Sequence, residues 1–310
     1  MPSRRRPLAL AATLTCALAL AACGGGDDAA TGSASAASPA ADGLSVVAST
    51  NVYGSIASAI AGDAASVTSI ISDPSADPHS YEASTRTQLE LSRADVVIEN
   101  GGGYDDFMEQ LLSAADSKAV VLDAVEVSGK QAPADGELNE HVWYDVATVR
   151  ALAERVEAEL AQAAPDDAAT FAANLATFQT SLDGVQQRID AARPRTQDQP
   201  VAVTEPVPGY LLDALGARNV TPEEFSEAVE EESDVPVDVL QETLALFSGG
   251  QVRALVHNEQ TTGPQTEQVL RAAQENGVAV VPVTETLPEG EDYATWMSAN
   301  VDAVAAALGA

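Results

Sequence analysis

Leu44-Ser45-Val46-Val47-Ala48-Ser49 runs into Thr50-Asn51 and then into Val52-Tyr53-Gly54-Ser55-Ile56-Ala57-Ser58-Ala59-Ile60-Ala61. The first six residues are a short apolar run and predict a buried strand over 44–49. The next stretch predicts a helix over 52–61, with Asn51 available as its N-cap. Val67-Thr68-Ser69-Ile70-Ile71 then predicts a second strand. A short helix over 85–92, a strand over 96–98, a helix over 104–115 and a strand over 119–122 continue the alternation. Apolar strands separated by helices are the pattern of a parallel sheet covered on both faces, so the fold class is α/β. Gly101-Gly102-Gly103 is not followed by Gly-Lys-Ser/Thr, and Asp105-Asp106 would repel phosphate. It reads as a strand-to-helix turn, with Asp favoured near a helix N-terminus.

Upstream of this unit the chain opens Met1-Pro2-Ser3-Arg4-Arg5-Arg6 and is then apolar over 8–22. A basic segment followed by an apolar run too short to span a bilayer is the pattern of a secretory signal peptide, expected over 1–22. Leu20-Ala21-Ala22-Cys23 resembles the lipobox of bacterial lipoproteins, which implies that Cys23 is lipidated and becomes the mature N-terminus. Cys16 would leave with the signal, so the mature chain has no disulfide. Residues 23–42, mostly Gly, Ala, Ser, Asp and Thr, have nothing to bury and read as a flexible tether. The formal charge of −32 argues against a nucleic-acid partner, because such a surface repels phosphate.

Downstream, a looser acidic segment over 126–140 leads to a helix carrying Val149, Leu152, Val156 and Leu160, which Pro165 breaks. A second helix carries Phe171, Leu175, Phe178, Leu182, Val185 and Ile189 as one apolar stripe. It is expected to end before Pro194, spanning about 26 residues and ~40 Å. That length suits a stiff strut between two lobes. Strands over 201–203, 252–256 and 278–283, with helices over 210–215, 236–247, 265–274 and 292–308, repeat the β/α logic. Ser233 or Asp234 is available to cap the second of these helices. The expected organisation is an N-terminal α/β lobe over 43–164, an interlobe helix over 165–193 and a C-terminal α/β lobe over 194–310.

Ligands of open parallel sheets bind beyond the carboxyl ends of the strands. His79, one of only three histidines, follows the strand at 67–71 in Asp77-Pro78-His79-Ser80-Tyr81-Glu82. His141 lies in His141-Val142-Trp143-Tyr144-Asp145, beyond the strand at 119–122. Glu205 follows the strand at 201–203, and Glu285 follows the strand at 278–283. Taken singly, each has a plain structural reading. His79 could be a solvent-exposed loop residue, His141 a packing residue beside Trp143, Glu205 a carboxylate at a helix start and Glu285 a surface acid. Two candidates come from each half, so a shared site would lie in the cleft between lobes.

From its first strand to its C-terminus the chain resembles the solute-binding lipoproteins of zinc and manganese ABC transporters, which include streptococcal-type metal-binding adhesin lipoproteins. The segments around His79 and His141, the long helix, and Val203-Thr204-Glu205-Pro206-Val207-Pro208-Gly209-Tyr210 with Val283-Thr284-Glu285 carry the likeness. The resemblance implies His79, His141, Glu205 and Glu285 as ligands of one divalent ion, Mn2+ or Zn2+. It further implies a monomeric, lipid-anchored, extracytoplasmic carrier that serves an ABC permease and its ATPase. Glu285 stands where the family commonly has Asp, and the loop before His141 has no histidine run. His257, in Val256-His257-Asn258, reads as a rim residue, and Asp145 as an N-cap or a partner of a ligand. The two-His, two-carboxylate set leans toward manganese. No His-Glu-x-x-His or Gly-x-Ser-x-Gly run is present, and four protein ligands leave little room for a reactive water, so the reading is not an enzyme. The competing readings are a surface adhesin with incidental metal and a metal-dependent hydrolase.

Overall fold

The computed structural model describes residues 43–74, 81, 84–134 and 136–309. The expectations for the signal segment, Cys23, the tether and His79 lie outside the described residues. The N-terminal half contributes β1 (Leu44–Thr50), α1 (Asn51–Ala61), β2 (Ala65–Ile71), α2 (Thr85–Leu91), β3 (Val96–Glu99), α3 (Phe107–Ala115), β4 (Val120–Asp123) and α4 (Ala124–Ser128). Two long helices follow, α5 (Val146–Ala163) and α6 (Ala168–Thr196). The C-terminal half begins with β5 (Pro200–Val203), α7 (Gly209–Leu215), β6 (Arg218–Asn219) and α8 (Glu223–Glu230). It continues with α9 (Val237–Ser248), β7 (Ala254–Asn258), α10 (Pro264–Glu275), β8 (Ala279–Val283) and α11 (Tyr293–Ala307).

Both sheets are four-stranded and parallel, with the same strand order, β2-β1-β3-β4 and β6-β5-β7-β8. In each, the first strand is internal and the order reverses between the first and third strands. That reversal opens a crevice at the carboxyl ends. One apolar core joins the two sheets. Val46 and Ile98 from the first sheet and Val203 and Val256 from the second share it with Phe171, Leu182 and Ile189 of α6 and Trp296 and Val301 of α11. Each large side chain fully buried this way contributes about 1.5–3 kcal/mol, so α6 is fastened to both halves along its length.

Four local differences from the sequence reading have physical causes. Helix α6 runs through Pro194 to Thr196 instead of stopping before the proline. The lost N–H falls in the last turn, where Thr196 Oγ1 donates to Leu215 O at 2.6 Å and holds the end in place. Helix α3 starts at Phe107, because residues 101–106 form the turn. There Gly101, Gly102 and Gly103 have φ of 74°, 67° and 100°, and the Asp105 carboxylate accepts from the amides of Asn100 at 2.7 Å and Gly101 at 2.8 Å. Asn51 does not cap α1, since the N-cap position is Thr50. Its amide instead donates to Leu287 O and accepts from Leu287 N, both at 2.9 Å, and so links the two halves. Helix α9 starts after Pro236 with no side-chain cap from Ser233 or Asp234. Proline's fixed φ is already suited to a helix start.

Candidate metal centre

The Asn139-Glu140-His141 segment approaches the crevice of the second sheet from the N-terminal half. His141 is fully buried. Asn139 Oδ1 accepts both from the His141 backbone N–H at 3.0 Å and from Nδ1 at 2.9 Å. With Nδ1 carrying the proton toward that oxygen, Nε2 presents its lone pair to the cleft. Asn139 also reaches across: its Nδ2 donates to Pro206 O at 2.9 Å, and Tyr210 Oη donates to Asn139 O at 2.6 Å. The imidazole is further fixed by aromatic rings, with Trp143 at 5.1 Å and Tyr104 at 5.9 Å between centroids. Such clamping sets ring orientation and tautomer, as is usual for a metal-binding histidine.

Glu205 and Glu285 follow β5 and β8, the two strands that flank β7 in the second sheet. Both are almost completely buried. Asn258, the last residue of β7, donates from Nδ2 to Glu205 Oε2 and, at 2.8 Å, to Glu285 Oε1. The asparagine thus gathers the two carboxylates. Gln260 Oε1 accepts from the Glu285 amide. Burial first, and then the Glu285 charge, push the Tyr104 phenol well above its ordinary range, so it stays a donor.

His141 Nε2 lies 3.9 Å from Glu285 Oε2. It also lies 3.4 Å from Oε1 of Glu230, at the end of α8. Two donors tetrahedrally placed about 2.0–2.2 Å from one ion are about 3.3–3.6 Å apart, so the 3.4 Å separation matches a shared cation and the 3.9 Å one is a few tenths of an ångström wider. Glu140 completes a group with His141 and Glu230 whose ligand atoms lie within 4.8 Å of one another. The Glu230 carboxyl is pushed far above the ordinary carboxylate range by burial, then by the charges of Glu140, Glu205 and Glu285. Burial likewise pushes Glu140 up to about 7. Such a concentration of buried acid is costly without a compensating cation.

Three of the four predicted positions, His141, Glu205 and Glu285, therefore meet at one place, and the fourth, His79, lies outside the described residues. His257 does not reach the carboxylates; its Nδ1 is 3.5 Å from Thr204 Oγ1, and burial lowers its pKa. Its neighbour Asn258 occupies the position facing them. Asp145 caps α5 by accepting from the Ala147 amide at 3.2 Å, and it pairs with Lys130 at 2.9 Å. The sequence reading missed Glu230 because α8 was not recognised. The buried Phe225, Ala228 and Val229, at helical intervals, were the available signal.

Residues 46–307 match the family model described as ZnuA, zinc-uptake complex component A periplasmic. The manganese-binding lipoprotein MntA of Bacillus subtilis is 24% identical over 277 residues, covering 87% of this chain and 86% of the relative. MntA of Halalkalibacterium halodurans is 26% identical over 218 residues, covering 66% and 72%. The periplasmic zinc binding protein TroA from Treponema pallidum superposes with a TM-score of 0.71 at 20% identity, covering 86% of this chain and all of that one. A mutant of the laminin-binding adhesin Lmb from Streptococcus agalactiae gives a TM-score of 0.72 at 18% identity over the same share. These two structures share the fold of two parallel sheets joined by a long helix. With the family model spanning both sheets and the crevice between them, the chain belongs to the periplasmic zinc-uptake component A family.

Proposed function

We propose that the protein is the extracytoplasmic solute-binding component of an ABC transporter, capturing one divalent transition metal, manganese or zinc, and delivering it to a permease driven by its ATPase. The ion is cargo and undergoes no chemistry. His141, Glu205 and Glu285 bind it together with His79, and the acylated Cys23 anchors the protein to the outer face of the membrane. The single observation that carries this reading is the meeting of His141 Nε2 with Glu285 at 3.9 Å, while Asn258 draws Glu205 and Glu285 together. Two carboxylates and imidazole form a moderately hard donor set without thiolate. Such a set accepts Mn2+ at a higher coordination number and Zn2+ at four, with Zn2+ binding at least as tightly in vitro.

Elemental analysis of the purified protein, followed by calorimetric titration with Mn2+ and Zn2+, tests this. One ion per chain is expected. His141→Ala, Glu205→Gln and Glu285→Gln should each weaken binding at least about 10–100-fold, the scale on which even supporting residues act. Glu205→His should move preference toward zinc. Because bound ligands must be deprotonated, affinity should fall as pH drops from about 7 to 5. Equal affinity at both pH values, or full affinity in all three variants, would overturn the assignment.

A further inference from the structure

Asn258 ends β7, the strand between those that lead to Glu205 and Glu285, and it is 1% exposed. Its backbone N–H donates to Thr204 Oγ1 at 3.0 Å. Its Oδ1 accepts from the Gln260 amide at 3.1 Å. A backbone N–H needs an acceptor and an ionised carboxylate can only accept, so these partners decide which end of the side-chain amide faces which way. The NH2 group is turned to the acids. It carries two protons, and two carboxylates receive them, Glu205 through Oε2 and Glu285 through Oε1 at 2.8 Å. Thr261 Oγ1, at 3.4 Å, is a more distant third acceptor.

This bonding divides the two oxygens of Glu285. Oε1 is turned to Asn258, while Oε2 is turned to His141 Nε2 at 3.9 Å. For Glu205 the oxygen held by the amide is Oε2. To chelate an ion through both oxygens, either carboxylate would have to pull away from Nδ2 and strand a buried donor, a loss that bulk water cannot make good at a side chain this enclosed. The donor count follows. One oxygen from each carboxylate and one nitrogen from each of two imidazoles make four donors, the number that zinc takes. Two oxygens from each carboxylate make six, the octahedral number that suits manganese.

We propose that Asn258 is the specificity-determining residue of the site: by holding one oxygen of Glu205 and one of Glu285, it limits each carboxylate to a single donor and widens the preference for zinc over manganese. This rests on the carrier reading above. Asn258 touches no ion. It acts through the two carboxylates, by setting how many oxygens they present, and the metal chosen follows from that number. The cargo of this chain is then zinc, although the ligand types alone, two imidazoles and two carboxylates, suit either ion.

Loading with Co2+ reports the donor number. Four tetrahedral donors leave the ion without a centre of symmetry and give intense visible bands, whereas six octahedral donors give faint ones. The Co2+-loaded parent should show the intense spectrum, a measurement that needs no variant to fold. Asn258→Leu keeps the branched shape and removes the donor. It should turn the spectrum faint and tighten Mn2+ binding about tenfold in calorimetric titration, the scale of one buried hydrogen bond, while Zn2+ affinity changes little. Asn258→Ala leaves room for a water to donate in place of the amide and should fall between the two. The inference is overturned if the parent gives the faint spectrum, if both variants keep the intense one, or if they lose Mn2+ and Zn2+ affinity in equal proportion, as a merely structural role would require. A parent that takes up none of the three ions would instead sink the carrier reading itself, and this inference with it.

Discussion

Glu99 illustrates how one residue couples fold to solution conditions. It ends β3, beside Asp123 of β4 in the parallel register, and its Oε2 is buried without a hydrogen-bond partner. Burial first, and then Asp105, Asp123, Glu109 and Glu126, push its carboxyl from 4.5 to about 7. Between those pH values the folded protein holds a proton that the unfolded chain has released, so stability falls as pH rises through that window. Glu99→Gln removes this loss. Chemical denaturation should find the variant more stable than the parent at pH 8 by roughly 1 kcal/mol, a figure discounted for solvent screening of a partly exposed group, and equal to it at pH 4. With the proposed ligand set, the same scale holds the selectivity question, because Glu205 and Glu285 would offer one or two oxygens each and His141 one nitrogen. Of these, His141, Glu205 and Glu285 were legible from strand-end position and family likeness. Asn258 and Glu230 were not, since an asparagine at a strand end and a glutamate in an acidic run carry no motif.

At the scale of elements, the alternation of strand and helix was legible nearly throughout, because buried parallel strands are short apolar runs and helices such as α5 and α6 carry unbroken stripes. The failures lie where elements are short or their ends depend on partners. Strand β6 is two residues long and exists through pairing with β5. Helix α4 begins where Asp123 accepts from the Glu126 amide at 2.8 Å, inside a segment that reads as loop. Asn51 had the residue type of a cap, yet tertiary structure gave it Leu287 instead. Leu287 is only 3% exposed, so Asn51→Ala would strand a buried donor and acceptor. The expected cost is ~2 kcal/mol, or about 4–8 °C in thermal midpoint. A calorimetric scan checks it; a loss below 1 °C would mean that water replaces the amide.

At the scale of the whole molecule, the two halves are bound by more than the helix. Tyr144 Oη donates to Thr284 O at 2.7 Å and Tyr293 Oη to Trp143 O at 2.7 Å, while Thr286 Oγ1 donates to Pro74 O at 3.1 Å. These bonds, Asn51 and the shared core oppose a hinge, since opening would break buried hydrogen bonds and expose apolar surface together. Metal uptake should therefore proceed by local movement around the crevice. Small-angle scattering with and without Mn2+ should give the same radius of gyration, and a marked compaction on adding the ion would overturn this.

By itself the sequence determined the α/β class, the doubled β/α pattern, the stiff helix between the halves and three of the residues that meet in the crevice. Those features are written in local apolar periodicity and in the ends of strands, which neighbouring residues encode. Only the tertiary structure decided that Asn258 gathers the carboxylates, that Asn139 braces His141 from the far side of the crevice and that Glu230 comes to face His141. Asn258 reaches Glu205 across 53 positions, Asn139 reaches Pro206 across 67, and His141 faces Glu230 across 230 − 141 = 89, and no short-range pattern records which distant side chains a fold will bring face to face.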